Sequence, residues 1–171
     1  MTFTELIQTR YSVRDFSEAP VEEEKLQKIL AAGMLAPTGH NYQPQRVYVL
    51  KSSEAIAKIR GLTRCAFNAP YVLMFTYDTN EDWKNPFEEG IHAGQQDVSI
   101  VATHMMLAAW DLGIGTCWVN YFPNSLVKQA FGLPQSEEVV LLLPMGYPSQ
   151  TSHPAKLHDL SRPMAQIVKE L

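Results

Sequence analysis

This sequence has little that would recruit a polyanion or a bilayer. Its 14 Lys and Arg residues are outnumbered by 18 Asp and Glu, which leaves a formal net charge of −4. A face that binds nucleic acid needs a basic field, so nucleic acid is not expected as a partner. Long apolar runs are missing too: the most hydrophobic stretch, 98–110, is interrupted by Thr103 and His104, so no membrane span is expected. The first residues, Met1-Thr2-Phe3-Thr4-Glu5, lack the basic start and apolar stretch of a signal peptide. Cysteine is scarce. Cys65 and Cys117 stand alone, with no spacing that asks for a bridge, and two reduced thiols of a cytoplasmic protein are expected.

Several catalytic signatures are also absent. There is no Gly-Lys-Ser/Thr phosphate loop, no Gly-x-Ser-x-Gly elbow and no His-Glu-x-x-His helix. The five histidines are scattered, so no metal site is expected. Gly113-Ile114-Gly115-Thr116-Cys117-Trp118 resembles a dinucleotide fingerprint only in part. Trp118 occupies the third glycine position, and the segment leaves a helix to enter a strand, the reverse of what that fingerprint requires.

What is present fits one domain over residues 1–171. Thr2-x-x-Glu5 has capping-box spacing, which predicts a helix over about 3–9. Pro20 and the acids at 22–24 lead into a periodic run through Leu26, Ile29, Leu30 and Leu35, a helix stopped near Pro37. Strands are predicted at 47–50, 71–77, 116–121 and 138–145. Short helices are expected from Ser53 to about Gly61, and from a cap at Asn124 or Ser125 to about Phe131.

Residues 88–112 read as one long helix that is apolar on nearly every side from Val98 onward. Such a helix must be covered all round, and a second copy of the chain would cover it. The alternative is a central helix wrapped within one chain. The tail, 149–171, reads as an extended segment able to reach a neighbour. The order of elements predicts an α+β sandwich of three layers, with helices on both faces of a mixed, mainly antiparallel sheet.

Two segments carry the chemistry. In Arg10-Tyr11-Ser12-Val13-Arg14, an extended backbone turns Arg10, Ser12 and Arg14 to the same side. Two guanidiniums and a hydroxyl held together suit a phosphate. The alternative is an ordinary surface cluster paired with Glu5, Asp15 or Glu18. The second segment, Pro37-Thr38-Gly39-His40-Asn41-Tyr42-Gln43-Pro44, is a loop whose amides and hydroxyl could edge a polar heterocycle.

Arg10–Phe16, Ala36–Pro44, Leu112–Trp118 and Met145–Pro148 resemble, in order, four signatures of the FMN-dependent nitroreductase family. The resemblance implies an intertwined homodimer with FMN at the subunit interface and NAD(P)H as the electron donor. It implies that Arg10, Tyr11, Ser12 and Arg14 hold the FMN phosphate, ribityl chain and pyrimidine edge. Pro37, Thr38, Gly39 and Asn41 would reach across from the other subunit, and Asn120, Tyr121 and Phe122 would face the ring. Lys156 or Arg162, with His158 between them, would complete the phosphate site.

The flavin carries the reaction, with no protein acid or base, and passes reducing equivalents to a small electron-poor acceptor such as a nitroaromatic or quinone. Other flavin reactions on the same fold (ene reduction, dehalogenation, flavin fragmentation), or flavin binding without turnover, remain alternatives. Two departures stand out: Gln45 occupies a position where the family usually has Trp, and Asn120-Tyr121 replaces a glycine-containing pair.

Overall fold

A computed structural model describes residues 1–171. Helix α1 (Phe3–Thr9) begins with the expected capping box: Thr2 Oγ1 accepts from the Glu5 amide, and the Glu5 carboxylate accepts from the Thr2 amide. Helix α2 (Glu23–Met34) buries Leu26, Ile29 and Gly33. Leu35, expected to continue its apolar stripe, lies just past the end and is exposed. Strand β1 (Gln45–Leu50), helix α3 (Ser53–Leu62) and strand β2 (Tyr71–Asp78) follow. Ser52 caps α3 by accepting from the Ala55 amide. After helix α4 (Gly94–Asp111) come strand β3 (Gly115–Thr116), helix α5 (Asn124–Ala130), strand β4 (Glu137–Gly146) and a short helix α6 (Met164–Ile167).

The sheet order is β1-β2-β4-β3, with every ladder antiparallel. Its parallel component is a single bridge, Ser12 to Thr116, outside the named strands. Strand alternation sends Leu73, Phe75, Tyr77, Leu141, Leu143 and Met145 to one face, where α2 and α4 cover them. Val72, Met74 and Leu142 point to the other, under Ile56 and Ile59 of α3 and Val127 of α5. The result is the expected three-layer α+β sandwich.

Three elements differ from the sequence reading. Helix α4 starts at Gly94, not near Glu88. Residues 84–92 instead fold back on themselves through a Lys84–His92 bridge and a bond from the Asn85 amide to the Ile91 carbonyl. Pro86 and Gly90, the latter at φ 79°, turn this segment. The strand expected over 116–121 is cut to Gly115–Thr116, after which only Val119 bridges to Leu142. Pro123, not Asn124 or Ser125, stands at the N-cap of α5, because the Asn124 side-chain amide donates to the Val139 carbonyl instead.

Helix α4 buries Val98, Val101, Ala102, Met105 and Ala109 within the chain. Its other face stays partly open: Ile100 is 38% exposed, and Thr103, His104, Met106 and Leu107 are only half-buried. No helix is long and apolar enough to cross a membrane.

Candidate cofactor site

The first segment is held by its odd-numbered neighbour. Val13 is fully buried, its amide donates to the Thr116 carbonyl at 2.9 Å, and it lies against Gly115 so closely that a Cβ there would come within 2.5 Å of Val13 Cγ2. Glycine at 115 is therefore what lets this segment lie flat on the sheet edge. With Val13 inward, alternation turns Ser12 and Arg14 outward.

Neither Arg10 nor Arg14 forms an ion pair. Of the carboxylates they might have used, Glu5 is engaged in its capping box and Asp15 by Ser149, Thr151 and Asn68, while Glu18 pairs with neither. Arg14 donates only to the Ser12 carbonyl, at 3.2 Å.

Cys117 lies beneath this cluster. Burial pushes its thiol pKa up, while the positive charges of Arg14 and Arg10 and a hydrogen bond with Ser12 act the other way. Arg14, Ser12 and, most weakly, Arg10 thus all act on the Cys117 thiol. Both cysteines are free.

Tyr11 turns the opposite way, edge-on to Trp110 with centroids 5.2 Å apart, and its hydroxyl donates to Ser152 Oγ at 3.2 Å. The start of the tail therefore lies beside Tyr11, as does the His158 ring at 6.4 Å. Lys156 falls within this bordering stretch, 152–158, whereas Arg162 lies beyond it; both are exposed.

The chain after Cys117 runs along β4. Asn120 is tied down twice: Oδ1 accepts from Trp118 Nε1 at 2.8 Å, and Nδ2 donates to the Val140 carbonyl at 3.0 Å. Tyr121 is 69% exposed, with its carbonyl fixed by Thr63 Oγ1 and the Arg64 guanidinium over its ring at 5.6 Å. Phe122 is half-buried and packs on the α3–α5 side of the core.

The second segment has unusual backbone. His40, Asn41 and Gln43 all have positive φ, at 50°, 57° and 53°. For residues with a Cβ this region costs about 1–2 kcal/mol each, so neighbours must hold the loop in place. They do so at the start of α4. The Gly39 amide donates to Asp97 Oδ1 at 2.8 Å, the Gln43 amide donates to Thr38 Oγ1 at 3.1 Å, and the His40 ring lies parallel to Trp83 at 6.1 Å. Pro37, Thr38, Gly39 and His40 line a cavity of about 380 Å³ with Trp83 and Asp97 among its other walls. Gln45, where an aromatic was expected, opens β1 with its side-chain oxygen buried.

Within one chain the two segments do not meet. Gly39 is anchored at Asp97, whereas Thr9 accepts from Trp110 Nε1. Thirteen residues of α4 separate these anchors, about 20 Å along the helix axis at 1.5 Å per residue.

Sequence reasoning missed Asp97, Trp83 and the half-exposed His92, whose Nδ1 lies 2.7 Å from the buried Asp82 carboxylate. Asp97 did leave a signal: it is the one acid of α4 ahead of the terminal Asp111, and it shares a face with Val101 and Met105 at four-residue spacing.

An α+β sandwich with an unpaired guanidinium cradle and a strained loop at the far end of its central helix defines the class of domain. The sequence profile of the Nitroreductase family matches residues 7–67 and 62–147, and the chain belongs to that family. A crystal structure of a nitroreductase family protein from Clostridium difficile 630 is 38% identical, covers 99% of this chain and 98% of its own, and superposes with a TM-score of 0.91. An Archaeoglobus fulgidus protein whose name pairs NADH dehydrogenase with NAD(P)H nitroreductase is 29% identical, over 84% of this chain and 83% of its own. A structure from Exiguobacterium sibiricum 255-15, solved in complex with FMN, shares the fold at a TM-score of 0.83 with 20% identity, over 100% of this chain and 98% of its own.

Proposed function

We propose that this protein is an FMN-dependent oxidoreductase that takes reducing equivalents from NAD(P)H and delivers them to a small, electron-poor acceptor. One observation carries the reading: Arg10 and Arg14, on either side of Ser12 in the chain, stand without a carboxylate partner, and both act on the nearby Cys117 thiol. Guanidiniums left unpaired beside each other repel, and a dianionic phosphate removes that repulsion while accepting forked hydrogen bonds. The donor set therefore fits the FMN phosphate. The names of relatives agree, since one joins NAD(P)H to nitroreduction and another structure holds FMN.

In this reading Arg10 and Ser12 hold the phosphate, while Tyr11, turned the opposite way, ties down the root of the tail. Lys156 or Arg162, both exposed on the tail, would add a further positive charge. Arg14 brings positive charge that favours an electron-rich ring, and Asn120 and Tyr121 line the ring's approach. The bound flavin supplies the hydride and electron transfer; the chain's residues bind and orient it, and no side chain is given a proton-transfer role.

The working unit is a homodimer. Pro37, Thr38, Gly39 and Asn41 of one copy would close over the cradle of the other, since within one copy they lie about 20 Å apart along α4. Exposed apolar side chains support this. Leu157, Leu160, Met164, Ile167 and Val168 are exposed along a tail with no buried residue after Ser152, and Ile100 is exposed on α4. A tail anchored at its root by Asp15 and Tyr11 and apolar beyond it is suited to lie on a second copy.

The test begins with the purified protein. It is expected to be yellow, to release a compound with the mass of FMN, and to oxidise NADH or NADPH when given a nitroaromatic or a quinone. Protein that stays colourless after soaking in excess FMN and dialysis overturns the proposal.

A further inference from the structure

We infer that Asp97 is a positioning residue: its buried carboxylate, with Trp83 as a second support, locks the strained 38–43 loop into the shape that closes the cofactor site. The inference deepens the function proposed above and rests on it for the identity of the ligand.

Asp97 is an expensive residue where it stands. It is 3% exposed, in the first turn of α4, on the face that also buries Val98, Val101 and Met105. One carboxylate oxygen, Oδ2, has no hydrogen-bond partner. Burial raises its pKa, and the nearby Asp82 charge acts in the same direction. The hydrogen bond from the Gly39 amide acts the other way without cancelling this. A buried carboxylate that breaks the local pattern so plainly is expected where something else depends on it.

The one hydrogen bond that the Asp97 side chain makes goes to the loop. Oδ1 accepts from the Gly39 amide at 2.8 Å. Position 39 has to come this close: a Cβ there would sit 3.0 Å from Trp83 Cβ and 3.3 Å from Ala93 Cβ. Glycine thus allows the backbone to reach the carboxylate, and the bond fixes the residue immediately before the left-handed pair His40–Asn41. The parallel His40–Trp83 stack then holds the first of those residues from its side-chain end. Trp83 is itself set by its carbonyl, which accepts from the Ala93 amide at 2.9 Å, and by the Asp82–His92 contact next to it. Loop, helix start and the 82–93 segment form one unit, and its only polar tie from helix to loop is Asp97.

Without that tie the loop keeps only its internal bonds, from the Tyr42 amide to the Gly39 carbonyl and from the Asn41 and Gln43 amides to Thr38, together with the His40–Trp83 stack, and it would relax toward ordinary right-handed or extended backbone. A loop that must be ordered on each binding event binds its ligand more weakly than one held ready beforehand.

The test compares Asp97→Ala, which removes the acceptor, with Asp97→Asn, which keeps a carbonyl in its place. Hydrogen exchange at the Gly39–Gln43 amides is read in the FMN-free protein, and the FMN dissociation constant is read by fluorescence quenching. In Asp97→Ala, exchange of these amides is expected to accelerate at least tenfold while the amides of 101–109 keep their protection, and FMN is expected to bind at least tenfold more weakly. Asp97→Asn should restore both to within about threefold of the native protein.

Unchanged loop exchange in Asp97→Ala, or failure of Asp97→Asn to restore it, overturns the inference. So does an FMN constant within twofold of native. If Asp97→Ala fails to fold, Trp83→Ala takes its place and is expected to accelerate exchange at His40–Gln43; no change there also overturns the inference. A native protein that binds no FMN refutes the proposed function, and the exchange arm still judges the latch.

Discussion

Replacing Arg10 with alanine tests the cofactor site most directly. The structure gives Arg10 no acidic partner, so truncation strands no buried carboxylate. The FMN-free protein should keep its stability to within about 0.5 kcal/mol, as for other surface changes. The loss should appear only when ligand is present. A charge-assisted hydrogen bond contributes about 1.5–3 kcal/mol, which corresponds to FMN affinity weakened about tenfold to a hundredfold. This carries through to thermal stability by mass action. At an FMN concentration of about 100 times the native dissociation constant, the native protein gains about 2.7 kcal/mol, whereas a variant binding a hundredfold more weakly gains only about 0.4 kcal/mol.

Titrating flavin-free protein with FMN and following fluorescence quenching measures the first quantity, and melting with and without FMN measures the second. Lys28→Ala serves as the control, because it breaks the 2.7 Å pair with Glu24 on α2 and touches neither the cradle nor the 38–43 loop. An Arg10→Ala dissociation constant within twofold of native, or a loss of several kcal/mol in the FMN-free protein, refutes the phosphate assignment.

Two further outcomes are expected. Deleting residues 153–171 should convert a dimer to monomer in sedimentation experiments while leaving the far-ultraviolet spectrum native, since the removed residues are all exposed within one chain; a truncated protein that still sediments as a dimer contradicts the proposed role of the tail. Tyr48 should ionise late, because burial and the hydrogen bond to the Glu137 carboxylate push its pKa up to about 12. The unfolded chain loses this proton near the ordinary tyrosine value while the native chain keeps it, so stability from this group is complete below about pH 10 and is lost as pH rises toward 12. Tyr48→Phe should flatten that alkaline decline in denaturant titrations, and an unchanged slope would count against the role given to the Tyr48–Glu137 bond.

Most of the fold was legible along the chain because its signals are local. The Thr2–Glu5 box, the run through Leu26 and Ile29, and the apolar strands at 71–77 and 138–145 each mark an element with residues a few positions apart. The errors came where distant residues decide. Nothing near Asn124 in the sequence says that its side chain is taken by the Val139 carbonyl, and nothing near Glu88 says that residues 84–92 pair with themselves before α4 begins.

The site divides in the same way. By itself the sequence determined the alternation that buries Val13 and turns Ser12 and Arg14 outward, since strand geometry follows from neighbouring residues alone. Only the tertiary structure decided that the Arg10 and Arg14 guanidiniums stay unpaired, because Asp15 and Glu5 are claimed by other partners. The same is true of the left-handed loop, held by Asp97 and Trp83 from 40 to 60 positions away in the chain, and of its separation from the cradle by the length of α4. Each depends on contacts across sequence distances that no local pattern encodes.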